Sequence, residues 1–365
     1  MKKTDILILR LDAIGDFILW LDSARHFRKI FPGRHITLIG NSIWTDLAKE
    51  LPYFDDVIEI PQSRYRGRFK FIKSLIWDFF RFKYWSANIV IHPVISRSLH
   101  SNLIARWISS PTKIAPSGDK KNLNQKINRI PGFSYESTCT WYSQIIPILN
   151  NGTMELISNA EFMSKLSGIT IEPQLPNLRG LLNLNTDKQI PSKPYVVIVP
   201  GANDTKRTWG TEKFSQTIQT LPQDISIVIC GSHSEKKLTQ TLTDMIKSKA
   251  RDVMNLGGKT TLMELIFIIS QAKYVIGNES SAIHIASSLH VPSIAILGGG
   301  HFGRFLPYQL GNSISIPSYA PQIAHHKMVC YGCNWNCHLI TPKMTTWPCI
   351  GSISIETTIK ATKQG

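Results

Sequence analysis

The stretch Lys273 to Gly298, KYVIGNESSAIHIASSLHVPSIAILG, constrains the fold more than any other part of the chain. Lys273 to Gly277 reads as a short buried strand, Ser280 to His290 as a helix, and Ser293 to Leu297 as the next strand. One βαβ turn is therefore written into it, and an α/β domain is expected around it. At its first joint, Gly277, Asn278, Glu279, Ser280 and Ser281 fall where a strand's carboxyl end meets a helix N-terminus. Free backbone N–H groups and the positive end of the helix dipole favour an anion such as phosphate there. Ala282, Ile285, Ala286 and Leu289 form the apolar stripe of the helix, whereas His284 falls with Ser280, Ser281 and Ser288 on another face and need not be a core residue. The plainer alternative is that Ser280 caps the helix and His284 makes a structural hydrogen bond.

The same scheme runs through both halves. Ile6 to Leu11 is an apolar run ended by Asp12-Ala13-Ile14-Gly15-Asp16, and a helical pattern follows from Phe17 to Phe31 and stops at Pro32-Gly33. Further strands are expected at His35–Gly40, Val57–Ile60, Asn88–His92 and Thr112–Ala115. Four prolines between Glu172 and Pro194 mark a linker. Beyond it strands are expected at Tyr195–Pro200, Ile225–Cys230, Val253–Leu256, Tyr274–Gly277 and Ser293–Leu297, separated by helices. Two Rossmann-like halves facing one another would place a ligand crevice at the carboxyl ends of both sheets. Neither half carries GxGxxG after its first strand, and no GxxxxGK[ST] loop exists, which argues against a dehydrogenase or a P-loop enzyme.

A chain of 365 residues with 42% hydrophobic content suits two soluble domains. No apolar run is long enough to span a bilayer, and the N-terminus is too charged for a signal peptide, so a cytoplasmic address is expected. The six cysteines are then thiols or metal ligands rather than disulfides. The formal charge of +16 is concentrated: between Pro61 and Ile130 there are 14 Lys and Arg against Asp78 and Asp119. Such a field implies an anionic partner: nucleic acid, phospholipid head groups or a phosphorylated glycolipid.

Four stretches together resemble glycosyltransferase family 9, the heptosyltransferases of lipopolysaccharide assembly: RLDAIGDFILWLDSARHFRKIFPGRHITLIG, VPGANDTKRTWGTEKFSQTI, GNESSAIHIASSLHVPSIAILG and CYGCNWNC. They occur in the family's order across nearly the whole chain. The resemblance implies the GT-B architecture: an acceptor-binding domain over residues 1–180, a nucleotide-sugar-binding domain over 181–350, and a terminal helix over 351–365 returning to the first domain. It also implies inverting transfer of heptose from ADP-heptose to a lipopolysaccharide core or related glycan, at the inner-leaflet membrane surface, without a metal in the chemistry.

Asp16 matches the family's Gly-Asp aspartate and is the expected general base, with Gly15 beside it on the acceptor side; inverting transfer needs a carboxylate to take the acceptor hydroxyl's proton. The alternative for Asp16 is helix capping. Where the family has a lysine two residues before a tryptophan, this chain has Arg207, with Lys206 adjacent; either neutralises a departing diphosphate. Gly201 lets the backbone approach a phosphate closely. The family's Asp-Thr-Gly and following histidine become Glu279, Ser280, Ser281 and His284 here, a departure that leaves the sugar open. Glu235 is a further candidate for the nucleoside, with a surface acid as the alternative. His92, Arg97 and Ser98 are expected on the acceptor groove.

The run from Arg64 to Lys73, followed by Trp77, Phe79, Phe80, Phe82, Tyr84 and Trp85, mixes cations with aromatics. That composition suits a membrane surface; the alternative is a helix with its rings on the sheet and its charges in water. Cys330, Cys333, Cys337 and Cys349 are spaced to close a tetrahedral zinc or iron site of structural kind, or to pack as reduced thiols. Two further functions stay open: a GT-B transferase with another nucleotide sugar, and a non-catalytic binder of anionic polymer. Nucleic acid is the less expected polymer, since a nucleic-acid module makes no demand for Asp16.

Overall fold

The structure is a computed structural model that describes residues 2–61, 68–118, 133–149, 153–184, 186–247, 251–311 and 314–364. The chain forms two compact units, Met1–Gln174 and Leu175–Gly365. The division falls inside the proline-rich stretch. Arg64, Arg66 and Gly67 of the cationic run, and residues 119–132 of the basic segment, lie outside the described residues.

The first unit is built on one six-stranded sheet of β1 (Lys2–Leu9), β2 (Ile36–Asn41), β3 (Asp56–Ile60), β4 (Trp85–Ile91), β5 (Thr112–Pro116) and β6 (Gln144–Ile146). The order is β3-β2-β1-β4-β5-β6, and every pairing is parallel. A central parallel strand is covered on both faces, so it must be apolar without alternation. The run Ile6-Leu7-Ile8-Leu9 meets that demand with every side chain buried. Its longer helices are α1 (Ile14–Ala24), α2 (Arg68–Phe82), α3 (Leu99–Trp107) and α4 (Glu155–Ser167). The helical pattern expected from Phe17 to Phe31 starts earlier, at Ile14, and breaks after Ala24 before a short second helix, Phe27–Ile30.

The second unit repeats the plan with β7 (Tyr195–Val199), β8 (Ser226–Ile229), β9 (Val253–Asn255), β10 (Tyr274–Asn278), β11 (Ser293–Ile296) and β12 (Gln322–Ala324). Its order, β12-β11-β10-β7-β8-β9, is also parallel throughout. Counted from each unit's own first strand, both sheets run 3-2-1-4-5-6, the doubly wound order of nucleotide-binding folds. Strand order reverses between β1 and β4 and again between β7 and β10. Loops leaving those strand ends diverge to opposite faces and leave room for a ligand. Helices α5 (Thr211–Gln219), α6 (Lys236–Lys247), α7 (Leu262–Ser270) and α8 (Ser281–Ser288) connect the strands.

The last helix is α9 (Ile355–Gln364). It is grouped with the second unit, packing on α5, β11 and β12. Ile353 and Ala361 share a buried core with Ile218, Ile294, Ile296 and Ala324, and that apolar contact holds the helix there. Among the described residues no helix is long and apolar enough to cross a membrane.

Candidate functional site

In the second unit the β7 and β10 ends are tied together by one side chain. Asn278, fully buried at the end of β10, donates through Nδ2 to the Pro200 carbonyl at 2.6 Å and the Gly201 carbonyl at 3.4 Å. Its Oδ1 accepts the Trp209 N–H at 3.1 Å. Both ends of the loop after β7 are thereby fixed to β10. Gly277 permits this approach, because a Cβ there would stand 2.9 Å from the Val199 carbonyl oxygen.

On that loop Asp204 caps a short 3-10 turn over Thr205–Arg207 by accepting the Lys206 N–H at 2.9 Å. The turn sends Arg207 toward β10, where its Nη2 meets Glu279 Oε2 at 2.9 Å, with side chains 17% and 8% exposed. Burial raises the Glu279 carboxyl, and the Arg207 guanidinium pulls it back down. The guanidinium also lies 4.3 Å above the Trp335 ring, while Lys206 Nζ sits 5.5 Å over Trp347. Arg207 Nε is buried with no hydrogen-bond partner among the described residues, and so is Ser280 Oγ.

Ser280 does occupy the cap position of α8, but its hydroxyl makes no capping bond. The capping alternative therefore does not account for that oxygen. Orphaned donors at a helix N-terminus, beside a guanidinium and at a strand-order reversal, form an anion-accepting arrangement. Ser281 opens the helix. One turn in, His284 is buried, against the reading that it need not be core: its Nδ1 pairs with the Tyr308 hydroxyl at 2.8 Å. Burial pushes His284 down to about 4, so the ring is neutral at physiological pH. Glu235 is a capping residue rather than a free surface acid, its Oε2 accepting the Ser232 N–H at 2.6 Å. Its carboxylate fills the place a side chain on Gly201 would need.

At the equivalent reversal in the first unit, Arg10 organises the loop after β1. Its side chain is buried, grips Asp12 with Nε at 3.0 Å and Nη2 at 2.7 Å, and donates to the carbonyls of Pro93 at 3.0 Å and Asp16 at 3.1 Å. Asn41 and the Trp44 indole N–H hold the Asp12 carbonyl from the far side. Ala13 occupies the cap position of α1, which places Gly15 and Asp16 in the first turn. Asp16 is therefore not the capping residue. Burial raises the Asp12 carboxyl, with the Asp16 and Glu155 carboxylates adding to the effect and Arg10 opposing it.

His92 and Arg97 are placed differently from the sequence reading, which put them on an acceptor groove. Both are buried. His92 Nδ1 pairs with the Tyr142 hydroxyl at 2.6 Å, which donates on to Asn102 at 2.7 Å, and burial holds His92 well below its ordinary value. Arg97 is spent inside the unit on Asn102, the Pro116 carbonyl and the Cys139 sulfur. Ser98 is exposed and caps α3 by accepting the Ser101 N–H at 3.1 Å.

The four tail cysteines line one small cavity with Gly299, Trp335 and Trp347. The Gly299 N–H points at Cys349 Sγ at 3.3 Å. Burial raises the Cys349 thiol, and Cys333, Cys330 and Cys337 add to the effect, which places all four within electrostatic reach. Among the described residues no set of three or more His, Cys, Asp or Glu is already arranged as metal ligands. Sequence reasoning also passed over Trp335, and the signal for it was the run Gly298-Gly299-Gly300. Side chains there would collide with Trp335 and Tyr331, whose loop is hydrogen-bonded along Gly299 and Gly300.

The family model for glycosyltransferase family 9 (heptosyltransferase) matches residues 125–331, more than half of the chain. Lipooligosaccharide heptosyltransferase 2 of Campylobacter jejuni is 21% identical over 327 residues, covering 88% of this chain and 87% of that protein. E. coli heptosyltransferase WaaC, solved with ADP-2-deoxy-2-fluoro heptose, superposes with a TM-score of 0.68 at 12% identity, covering 99% of each chain. The dodecameric iron-containing heptosyltransferase TibC of enterotoxigenic E. coli H10407, solved with ADP-D-beta-D-heptose, gives a TM-score of 0.53 at 13% identity. That match covers 100% of this chain and 76% of that one. At such identities the likeness is one of fold, and the fold is the GT-B type.

Proposed function

The chain belongs to glycosyltransferase family 9, and from that premise we propose that it moves a heptose, or a closely similar sugar, from ADP-heptose to a lipopolysaccharide core or related glycan with inversion of configuration. The observation that carries the reading is the pair of orphaned donors, Ser280 Oγ and Arg207 Nε, at the N-terminus of α8. Together with Lys206 and the first amides of the helix they suit the two phosphates of a nucleotide sugar. Relatives and neighbours support the donor: WaaC and TibC were both solved with ADP-linked heptoses.

In this reading Asp16 takes the proton from the acceptor hydroxyl as its oxygen bonds to the anomeric carbon. The bond from that carbon to the phosphate oxygen breaks on the opposite face, and ADP leaves with the electron pair. Arg207, Lys206 and the α8 amides meet the charge that grows on the leaving diphosphate. Glu279 holds Arg207 in place and offers a carboxylate edge to sugar hydroxyls. Neutral His284 contributes as a hydrogen-bonding wall at the donor rather than as a cation. His92 and Arg97 act on the acceptor side indirectly, by holding the turn after β4, and Gly15 leaves space beside Asp16.

The work is expected at the cytoplasmic face of the inner membrane, where the acceptor is anchored. The four tail cysteines are proposed to hold a structural zinc or iron, in line with the iron-containing TibC. Four cysteine sulfurs lining one cavity, with an N–H donor to one of them, fit such an ion once deprotonated; it would cross-link the tail loop and take no part in sugar transfer. Elemental analysis of purified protein tests it; absence of stoichiometric metal overturns it.

Titration calorimetry with ADP-, UDP- and GDP-sugars tests the donor. Preference for UDP or GDP would replace ADP-heptose with another nucleotide sugar, and no binding at all would remove the transferase reading. Asp16→Asn should lower kcat by about 10²–10⁴-fold, the usual worth of a general base, with donor affinity unchanged. Unaltered turnover would dismiss Asp16 as the base.

A further inference from the structure

Helix α2 buries two polar residues, Ser74 and Asp78, of the kind a surface helix ordinarily shows to water. Ser74, Asp78 and Phe82, spaced four apart and so aligned on one face, are 3%, 0% and 0% exposed. Asp78 Oδ2 meets His100 Nε2 of α3 at 2.9 Å, a buried pair that fixes this rotation. The opposite face carries Ile72, Ile76, Trp77, Phe79 and Phe80, exposed by 47%, 54%, 52%, 37% and 59%, with Tyr84 just beyond at 60%. Six of the thirteen large apolar side chains exposed among the described residues thus lie between positions 72 and 84. Exposed apolar residues scattered singly need no explanation, but a contiguous patch marks an interaction surface.

The patch is ringed with cations. Arg81 stands 5.4 Å over Trp77, and Lys83 Nζ lies 4.5 Å over Phe80 and 4.6 Å over Tyr84. Lys73, Ile76, Trp77, Phe80 and Arg81 line a groove between this face and the end of β3 at Glu59 and Pro61. The mixture selects the partner. Isoleucines offer nothing for a nucleobase to stack on, whereas a nucleic-acid platform needs flat rings beside its cations. A second copy of the same face would bring lysines and arginines against lysines and arginines, which a self-complementary contact avoids. Rings and aliphatics flanked by Lys and Arg match the boundary between lipid phosphates and acyl chains.

We propose that the outer face of α2 docks on an anionic lipid leaflet, with Ile72, Ile76, Trp77 and Phe80 entering the head-group boundary and Lys73, Arg81 and Lys83 meeting lipid phosphates. The assignment deepens the membrane-surface part of the function above, but the face is identified by its own residues. Sedimentation of the full chain with vesicles, without donor or acceptor, therefore tests it separately. Phosphatidylcholine alone is compared with an equal mixture of phosphatidylcholine and phosphatidylglycerol. The mixture should be bound and the neutral vesicle bound far more weakly, with salt eroding the difference. Trp77→Ala with Phe80→Ala should weaken binding by about ten-fold or more. Lys73→Gln, Arg81→Gln and Lys83→Gln together should weaken it by about a hundred-fold, at roughly five-fold per cation.

Both variants replace side chains of this outer face, and Arg81→Gln also gives up a hydrogen bond to the Glu59 carbonyl, so unfolding temperature should stay within a few degrees of the parent value and ADP affinity should be unchanged; if the aromatic variant misfolds, the cationic one decides. Equal binding of the parent chain to the two vesicles would overturn the proposal, as would an aromatic variant that binds like the parent. Two other outcomes would also overturn it: an oligomer that the aromatic variant dissociates, with no vesicle binding, or a single-stranded oligonucleotide that binds this face in place of vesicles. Vesicle binding without ADP binding would instead remove the transferase reading and leave this one standing.

Discussion

Replacing Arg207 with alanine separates two roles that the wild-type side chain combines. As the ligand group proposed above, it would make a charge-assisted hydrogen bond to the diphosphate worth about 1.5–3 kcal/mol. The Kd for ADP should then rise roughly 10- to 150-fold. As a structural group it faces Glu279 at 2.9 Å. Removing one partner of a buried ion pair costs about 3–5 kcal/mol if the other stays charged. Glu279 escapes part of that cost by taking a proton, because burial already raises it and Arg207 was the group holding it down. The sign of the pH effect follows. In the variant the folded protein keeps a proton that the unfolded chain has lost, so stability falls as pH rises from the ordinary glutamate range to the elevated folded value. Below that range both states are protonated and the penalty vanishes. Differential scanning calorimetry should therefore find a larger drop in Tm for Arg207→Ala at pH 8 than at pH 5. At about 2–4 °C per kcal/mol for a unit of this size, the extra loss is several degrees. The double variant Arg207→Ala, Glu279→Gln should recover the Tm at pH 8 without recovering ADP affinity. An equal drop at both pH values, or a double variant no more stable than the single one, would refute the coupling. Unchanged ADP affinity would remove Arg207 from the diphosphate.

Gly277→Ala would set a Cβ 2.9 Å from the Val199 carbonyl and 3.1 Å from Val199 Cβ. Overpacking of this kind costs about 1–3 kcal/mol, and because it pries β7 from β10 it should weaken ADP binding as well as lower Tm; calorimetry reads both. His284 is pushed down to about 4. Its neutral form is favoured in the folded state, so stability is complete above the ordinary histidine value and is lost as pH falls toward about 4, by up to about 3 kcal/mol. His284→Gln should flatten the fall of Tm between neutral pH and pH 4, and an unchanged slope would show that this ring does not drive it.

Strands buried on both faces were legible because they are continuous apolar runs, as in Ile6 to Leu9 and Tyr195 to Val199. The edge strands Gln144–Ile146 and Gln322–Ala324 were not, since three residues carry no period to detect. The placement of the candidate donor residues was legible for a topological reason: Gly201, Glu279 and Ser280 lie within two residues of strand ends, and in this fold the end of a strand is where ligands bind. His92 also follows a strand, yet it is closed off by Tyr142 and Asn102, and Arg97 by Pro116 and Cys139. Tyr142 lies 50 residues beyond His92 and Cys139 lies 42 beyond Arg97, and no local pattern announces such burial. The inward rotation of α2 was hidden similarly, because the buried Asp78 depends on His100, 22 residues away.

Arg207 rests on an indole that belongs to the cysteine loop, not to the nucleotide loops. Trp335 adopts a left-handed backbone conformation, φ 61°, seldom taken by so bulky a residue, and lies against the glycine run after β11. The footing of the cation proposed to hold the diphosphate is thus set by a neighbouring module that never has to touch the sugar. Oxidation or alkylation of the tail thiols would tilt that footing, so a change of redox state far from the reacting carbon would register as altered grip on the nucleotide.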